Sequence, residues 1–157
     1  MISRLVSGGQ TGADSSIIEV GSLLGIPIGG VMPRGWRTEQ GPSPELAVLG
    51  FTESDSSDYR SRTRANVEQS DATLIFATDP DSDGTRLTID HATRTGRPFL
   101  VIDPGDAAAA GRVRAWLDQI RPGILNVAGN RESKAPGIAR EAAQVLCAAL
   151  RDDSEPE

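Results

Sequence analysis

At 157 residues, 38% hydrophobic, 24% charged and 4% aromatic, the chain has apolar material for one core and too little for an ordinary membrane protein. Its formal charge is −6, with four acidic groups in the last six residues; this acidic balance excludes the basic footprint that nucleic acid or an anionic membrane requires. The single cysteine, Cys147, excludes an intrachain disulfide scaffold, and no coiled-coil or collagen period is present.

Short apolar runs alternate with helical patterns from end to end, the signature of βαβ units and a parallel sheet. Ile2–Val6 is the first predicted strand. A helix follows from Asp14 to Leu24, with Ile17, Val20 and Leu24 on one face and Gly25 and Pro27 as its stop. Ile26–Ile28 opens a second strand, residues 29–45 read as one long loop rich in Gly and Pro, and Leu46–Leu49 reads as a third strand. Ser57–Ser70 has the pattern of a helix. Residues 72–77, ATLIFA, are continuously apolar, as in a central strand buried on both faces. A helix over Thr85–Thr95, a strand over Phe99–Ile102 and a helix carrying Val113, Trp116, Leu117 and Ile120 come next. A last strand at Ile124–Val127 and a helix with Ile138, Ala142, Val145 and Ala149 on one face complete the series. The expected fold is a Rossmann-like three-layer α/β/α sandwich with a mostly parallel sheet. Residues 1–151 are expected to form one domain, and 152–157 an acidic frayed tail. The opening MISRLVSGG lacks the pattern of a signal peptide, and no run reaches the roughly eighteen apolar residues of a bilayer span, so a cytoplasmic location is expected.

In parallel α/β folds ligands bind at the strand-to-helix turns, and three such turns have unusual chemistry here. Ser7, Gly8, Gly9, Gln10, Thr11, Gly12 and Asp14 form the first. Its glycines let backbone N–H groups approach an anion at a helix start; the plainer reading is a tight turn capped by Asp14 or Thr11. It is neither a P-loop, since Gly-Lys-Ser/Thr is absent, nor a GxGxxG fingerprint. The second turn, Asp83-Gly84-Thr85 leading to Thr88, offers donors at a helix start or is simple capping by Asp83. The third runs from Asn126 to Ser133 through Gly129, Asn130, Arg131 and Glu132; Arg131 suits an anion, and Glu132 a hydroxyl or Arg131 itself, while alone the motif reads as a polar loop.

Arg62 and Asn66 are four residues apart and share a helix face, toward a site or toward solvent. Arg34 and Glu39 lie in the 29–45 loop, which reads as a lid or as a surface excursion. Trp36 in that loop could stack on a base, though as one exposed aromatic it is weak evidence. The lone His91 lies mid-helix with no partner evident in sequence, no spacing suggests a metal site, and no nucleophile elbow surrounds Ser133. Asp79, Asp81 and Asp83 alternate as in a calcium loop, but Ala92 stands where its glutamate belongs.

SGGQTGAD at 7–14, GGVMPRGWRTEQG at 29–41, YRSRTRANVEQSDATLIF at 59–76, DGTRLTIDHA at 83–92 and LNVAGNRES at 125–133 together resemble the circularly permuted YpsA-like branch of the SLOG superfamily, often labelled molybdenum carriers. The resemblance implies a Rossmann-like domain binding a nucleotide or the molybdenum cofactor, related to molybdenum cofactor carriers and to Lonely Guy phosphoribohydrolases, and acting as a homo-oligomer. The chain departs from the family pattern at Asp83, where Gly is usual, at Asn130, where Pro is usual, and at Gln40, where an acidic residue is usual. Thr88 stands where the Lonely Guy enzymes have their catalytic Glu. The expected function is therefore binding of a small phosphorylated ligand: a nucleotide, a nucleotide derivative or molybdopterin. The alternative is N-glycosidic hydrolysis of nucleoside monophosphates, with Glu39, Asp90 or Glu132 supplying the carboxylate and Arg62 assisting.

Overall fold

The computed structural model describes residues 1–151; the expected acidic tail, 152–157, lies outside them. One sheet contains six parallel strands: β1 (Arg4–Val6), β2 (Ile28–Met32), β5 (Phe51–Glu53), β6 (Ala72–Phe76), β7 (Phe99–Ile102) and β8 (Ile124–Gly129). Their order across the sheet is β5-β2-β1-β8-β6-β7. Arg4 pairs with Ile124 and Ala72 with Leu125, so β8 sits between β1 and β6. The continuous apolar run is the strand buried on both faces: Leu74, Ile75 and Phe76 are fully buried.

Helices α1 (Ser16–Leu24), α4 (Ala109–Ile120) and α5 (Ile138–Leu150) pack together, and α2 (Tyr59–Glu68) packs with α3 (Asp83–Arg94). This is the expected Rossmann-like α/β/α arrangement. Ile17 and Val20 of α1 meet the core together with Ile138, Ala142 and Val145 of α5, the faces that helical spacing marks. Burying each Ile or Val side chain contributes about 1.5–3 kcal/mol. Gly25 ends α1 in the left-handed conformation at φ 68°, as the stop signal requires. Asp58 caps α2 by accepting from Arg60 N–H at 3.0 Å.

Residues 29–49 correct the sequence reading. Strand β2 runs on to Met32 through Gly29 and Gly30, where the expected loop begins. Gly30 permits this by adopting φ 136° against the Ser7 backbone, which a side chain would overlap. A small antiparallel hairpin, β3 (Arg37–Thr38) with β4 (Gly41–Pro42), lies within the same stretch. The predicted strand at Leu46–Leu49 is instead part of a 3-10 helix, Pro44–Leu49. Pro44 fixes a helical φ at its start, and left-handed Gly50 stops it before β5 begins at Phe51. Trp36 is half-buried against the core rather than exposed. His91 does have a partner: its Nε2 lies 2.9 Å from Glu68 Oε1, joining α3 to α2. Among the described residues no helix is long and apolar enough to cross a membrane.

Candidate functional site

The sheet order brings the three turns together. Strands β1, β8 and β6 are neighbours, so the segments after Val6, after Gly129 and after Phe76 meet at one carboxyl edge. A cavity of about 320 Å³ opens there. Of the expected binding residues, Gly8, Gln10, Asp14, Arg62, Asn66, Gly84, Thr88, Gly129 and Arg131 line it. Helix α2 therefore turns its Arg62 and Asn66 face inward, not to solvent.

The first turn is held by its own hydrogen bonds and by Arg62 and Asn130. Asp14 Oδ2 accepts from Gln10 N–H at 3.2 Å and from Arg62 Nη1 at 3.0 Å. Thr11 N–H donates to Gln10 Oε1 at 3.1 Å, Gly9 N–H to Ser7 Oγ at 3.3 Å, and Ala13 N–H to Asn130 O at 3.0 Å. Ser7 is fully buried and donates its hydroxyl to Asp14 O at 2.8 Å. Gly8 is glycine because the Arg62 guanidinium occupies the space of a side chain, and Gly12 because the 130–132 backbone does. The turn thus holds its own carboxylate where the sequence reading expects a bound anion. Burial pushes the Asp14 carboxyl above its ordinary range, although Arg62 and the Gln10 N–H pull the other way.

The beginning of α3 is different. Ser82 caps Thr85 N–H at 3.4 Å, and the Asp83 and Gly84 amides, in the first helical turn, have no intrahelical acceptor. Gly84 borders the cavity, and a side chain there would enter open space. Thr88 donates back to Gly84 O at 2.9 Å, and Thr85 is buried beneath.

Arg131 and Lys134 add positive charge to the same cavity. Arg37, Arg62 and Arg131 all stand over the ring of Tyr59, at 5.0, 5.3 and 5.8 Å from its centroid. A cation–π contact contributes about 0.5–1 kcal/mol at exposed sites. Like charges several ångströms apart repel by about 1–3 kcal/mol at an effective dielectric near 20. Among the described residues only Arg62 of the three is in a direct ion pair, with Asp14; Arg131 feels the Asp14 and Glu39 carboxylates at longer range, so the repulsion is only partly offset. The cluster favours an anion beside it.

The remaining expected residues lie elsewhere. Glu39 accepts from the hydroxyls of Thr11 and Ser133, and from Ser133 N–H at 3.1 Å, while its own N–H donates to Gln10 Oε1 at 2.8 Å. It straps the β3–β4 hairpin across the first and third turns. Desolvation would raise its pKa, but the Ser133 and Thr11 hydrogen bonds and the charge of Arg131 prevail and hold it below the ordinary value. Glu132 caps α5, its carboxylate accepting from Gly137 N–H at 2.5 Å and Ala139 N–H at 3.1 Å. Asp90 is on the exposed side of α3. None of these three carboxylates lines the cavity, and Asp14 and Asp83 do. Gly9, Thr11, Gly12 and Glu132 border a second, more open hollow of about 360 Å³ behind the first turn. Arg34 is exposed, with its N–H bonded to Ser56 O at 2.7 Å.

Sequence reading missed Ser82 and Tyr59, and gave no binding role to Asn126 and Asn130 of the third turn. Asn130 accepts from Thr78 and Asp79 N–H at 2.9 and 3.1 Å and donates to Asp79 O at 3.1 Å, clamping the segment that leads into α3. The one available signal was its departure from the family's usual proline. Asn66 lines the cavity, but its amide bonds both backbone groups of Val31, at 2.8 and 2.9 Å, and ties α2 to β2. Among the described residues no His, Cys, Asp or Glu side chains gather as a metal site.

A parallel sheet with its cavity at the carboxyl edge, ringed by strand-to-helix turns, defines a Rossmann-like α/β protein. The chain belongs to the circularly permutated YpsA SLOG family, whose sequence profile matches residues 5–150. It is similar to a protein from Syntrophus aciditrophicus SB whose crystal structure is titled "Putative molybdenum carrier protein": 33% identity, 96% of each chain covered, TM-score 0.88. No curated protein sequence matches.

Proposed function

We propose that the protein binds a small phosphorylated ligand at the carboxyl edge of the sheet, as a carrier or binding protein. The observation that carries this reading is the incompletely neutralised charge at one cavity: Arg62, Arg131 and Lys134 beside the first amides of α3. A phosphate there would accept from Asp83 or Gly84 N–H, lie at the positive end of the helix dipole and bridge to Arg131 and Lys134. Asp83 lowers the net positive charge without cancelling it.

The candidate ligands are nucleotides, their derivatives and the molybdenum cofactor, the last because of the similar protein's title. Among the described residues no cluster of metal-ligating side chains lines the cavity, so a molybdenum cofactor would be held through its phosphate and pterin. The residues fit the phosphate; recognition of a pterin ring would fall to polar side chains and Ala128, with no aromatic ring among the described lining residues.

Thermal unfolding with inorganic phosphate, AMP and molybdopterin tests the proposal. A ligand at one hundred times its Kd stabilises by about 2.7 kcal/mol. A rise in Tm with any of the three that follows ligand concentration supports the reading. Flat curves for all three at millimolar concentration overturn it.

A further inference from the structure

The hollow of about 360 Å³ behind the first turn takes no part in the proposed phosphate site, although Gln10 borders both. Its wholly apolar side chains are Ile18 of α1, Leu46 of the 3-10 helix and Ala139 of α5, all half-buried. Ile18 does not pack against the main core; it faces the hollow instead. Small-molecule sites join such an apolar lining to a few placed polar groups.

Several polar side chains around this hollow are already engaged. Ser15 donates to Gly12 O at 2.9 Å, Thr38 to Gly41 O at 2.7 Å, and Thr11 to Glu39. Glu132, the one carboxylate in the lining, is held by the Gly137 and Ala139 N–H groups. Three side chains are not engaged. Among the described residues the Gln40 amide and the Ser43 hydroxyl have no hydrogen-bond partner, and Arg140 has no carboxylate within ion-pair distance. Arg140 stands in the first turn of α5, where a cation opposes the helix dipole, so helix stability does not account for it. One unmatched guanidinium suits a singly charged head group, and its fork matches the two oxygens of a carboxylate. No aromatic ring lines the hollow among the described residues, so the apolar patch suits an aliphatic chain.

We infer that this hollow is a second binding site, for a short aliphatic carboxylate, whose head group meets Arg140, Gln40 and Ser43 and whose chain lies on Ile18, Leu46 and Ala139. The site is separate from the phosphate site and does not rest on that reading. Thr38 and Gln40, on either side of Glu39, both line the hollow. An occupant therefore packs against the hairpin that Glu39 straps to the first and third turns.

Amide-shift titration of the full chain by NMR with acetate, butyrate, hexanoate and 1-hexanol tests this. Affinity should rise about fourfold for each methylene buried along the carboxylate series. Hexanol should bind about tenfold or more weakly than hexanoate, for want of the charged contact. The shifts should centre on Ser43, Leu46 and Arg140, and inorganic phosphate should leave them in place. Arg140→Met should bring hexanoate down to the level of hexanol without changing hexanol itself. The wild-type series needs no variant, so a misfolded substitution does not remove the test. Equal binding of hexanoate and hexanol overturns the head-group assignment, and affinity independent of chain length overturns the apolar patch. Displacement of hexanoate by phosphate overturns a separate site, and no shifts with hexanoate overturn the inference outright, leaving the phosphate site untouched.

Discussion

Arg62 Nη1 and Asp14 Oδ2 meet 3.0 Å apart in the space above Gly8, their side chains only 10% and 9% exposed. This ion pair joins α2 to the turn after β1 and forms one wall of the cavity. Removing one partner of a buried pair costs about 3–5 kcal/mol, because the other charge stays buried. Proton uptake relieves part of that cost, since burial already raises the Asp14 pKa. Without Arg62 the folded-state value rises further, so the stability contribution is present at low pH and lost as pH rises through that value. Arg62→Met should therefore lose more Tm at pH 8 than at pH 5. Scanning calorimetry at both values checks this, and an equal loss would contradict the assignment.

Glu39 has the opposite sign. Its carboxyl is held below the ordinary glutamate value, so its contribution is present above the unfolded value and lost as pH falls through the folded one. The strap from the β3–β4 hairpin to Thr11 and Ser133 should hold through the ordinary glutamate range and loosen only in acid below it. Trp36 precedes that hairpin, and its fluorescence can follow the change. Glu39→Gln should show the loosened signal already at neutral pH.

Gly84 can accept a side chain without a clash, and its φ is not positive. Gly84→Leu should fill the mouth of the cavity and abolish ligand binding while Tm stays level or rises. Replacing glycine in a helix with a better helix former contributes up to about 1 kcal/mol. Titration and calorimetry on the same variant separate occlusion from unfolding.

Arg131 and Lys134 are proposed to meet the phosphate directly. A hydrogen bond to a charged group is worth about 1.5–3 kcal/mol, so Arg131→Gln should weaken phosphate binding by about tenfold or more. Lys134→Gln, at an exposed position, should do less, and its effect should shrink as salt rises. Titrations at two ionic strengths distinguish the two residues.

Asn130→Ala removes the acceptor of Thr78 and Asp79 N–H and should cost about 1–3 kcal/mol. Those two amides should also exchange faster with solvent. Hydrogen exchange over residues 77–82 is the check.

Much of this was legible because it depends on local chemistry. The alternation of apolar runs fixes the α/β class, and glycine-bearing turns after β1, β6 and β8 mark the edge where a ligand would lie. What remained hidden depends on residues far apart in sequence. Asp14 fills its own turn only because Arg62, on a helix 48 positions away, covers Gly8. Tyr59 becomes a hub only when arginines from the hairpin, α2 and the third turn converge on it. Glu39 and Glu132 look catalytic as isolated carboxylates, and only their partners show a strap and a helix cap. The strand misread at Leu46–Leu49 has another cause: Pro44 and Gly50 outweigh an apolar composition that suits a strand equally well.

The position of β8 also bears on how the molecule is made. During synthesis the chain emerges from its first residue, and β1, β2, β5, β6 and β7 all leave the ribosome before β8. Until residues 124–129 arrive, β1 and β6 have no bridge between them, and the sheet consists of two unjoined halves with open inner edges. Such edges are prone to pair with other chains, and closing them needs contacts between distant parts of the sequence. A nascent chain halted after α4 should be unable to bind ligand and should depend on chaperones. The proposed site is completed in one late step, when a single strand slots into the centre and brings Arg131 with it.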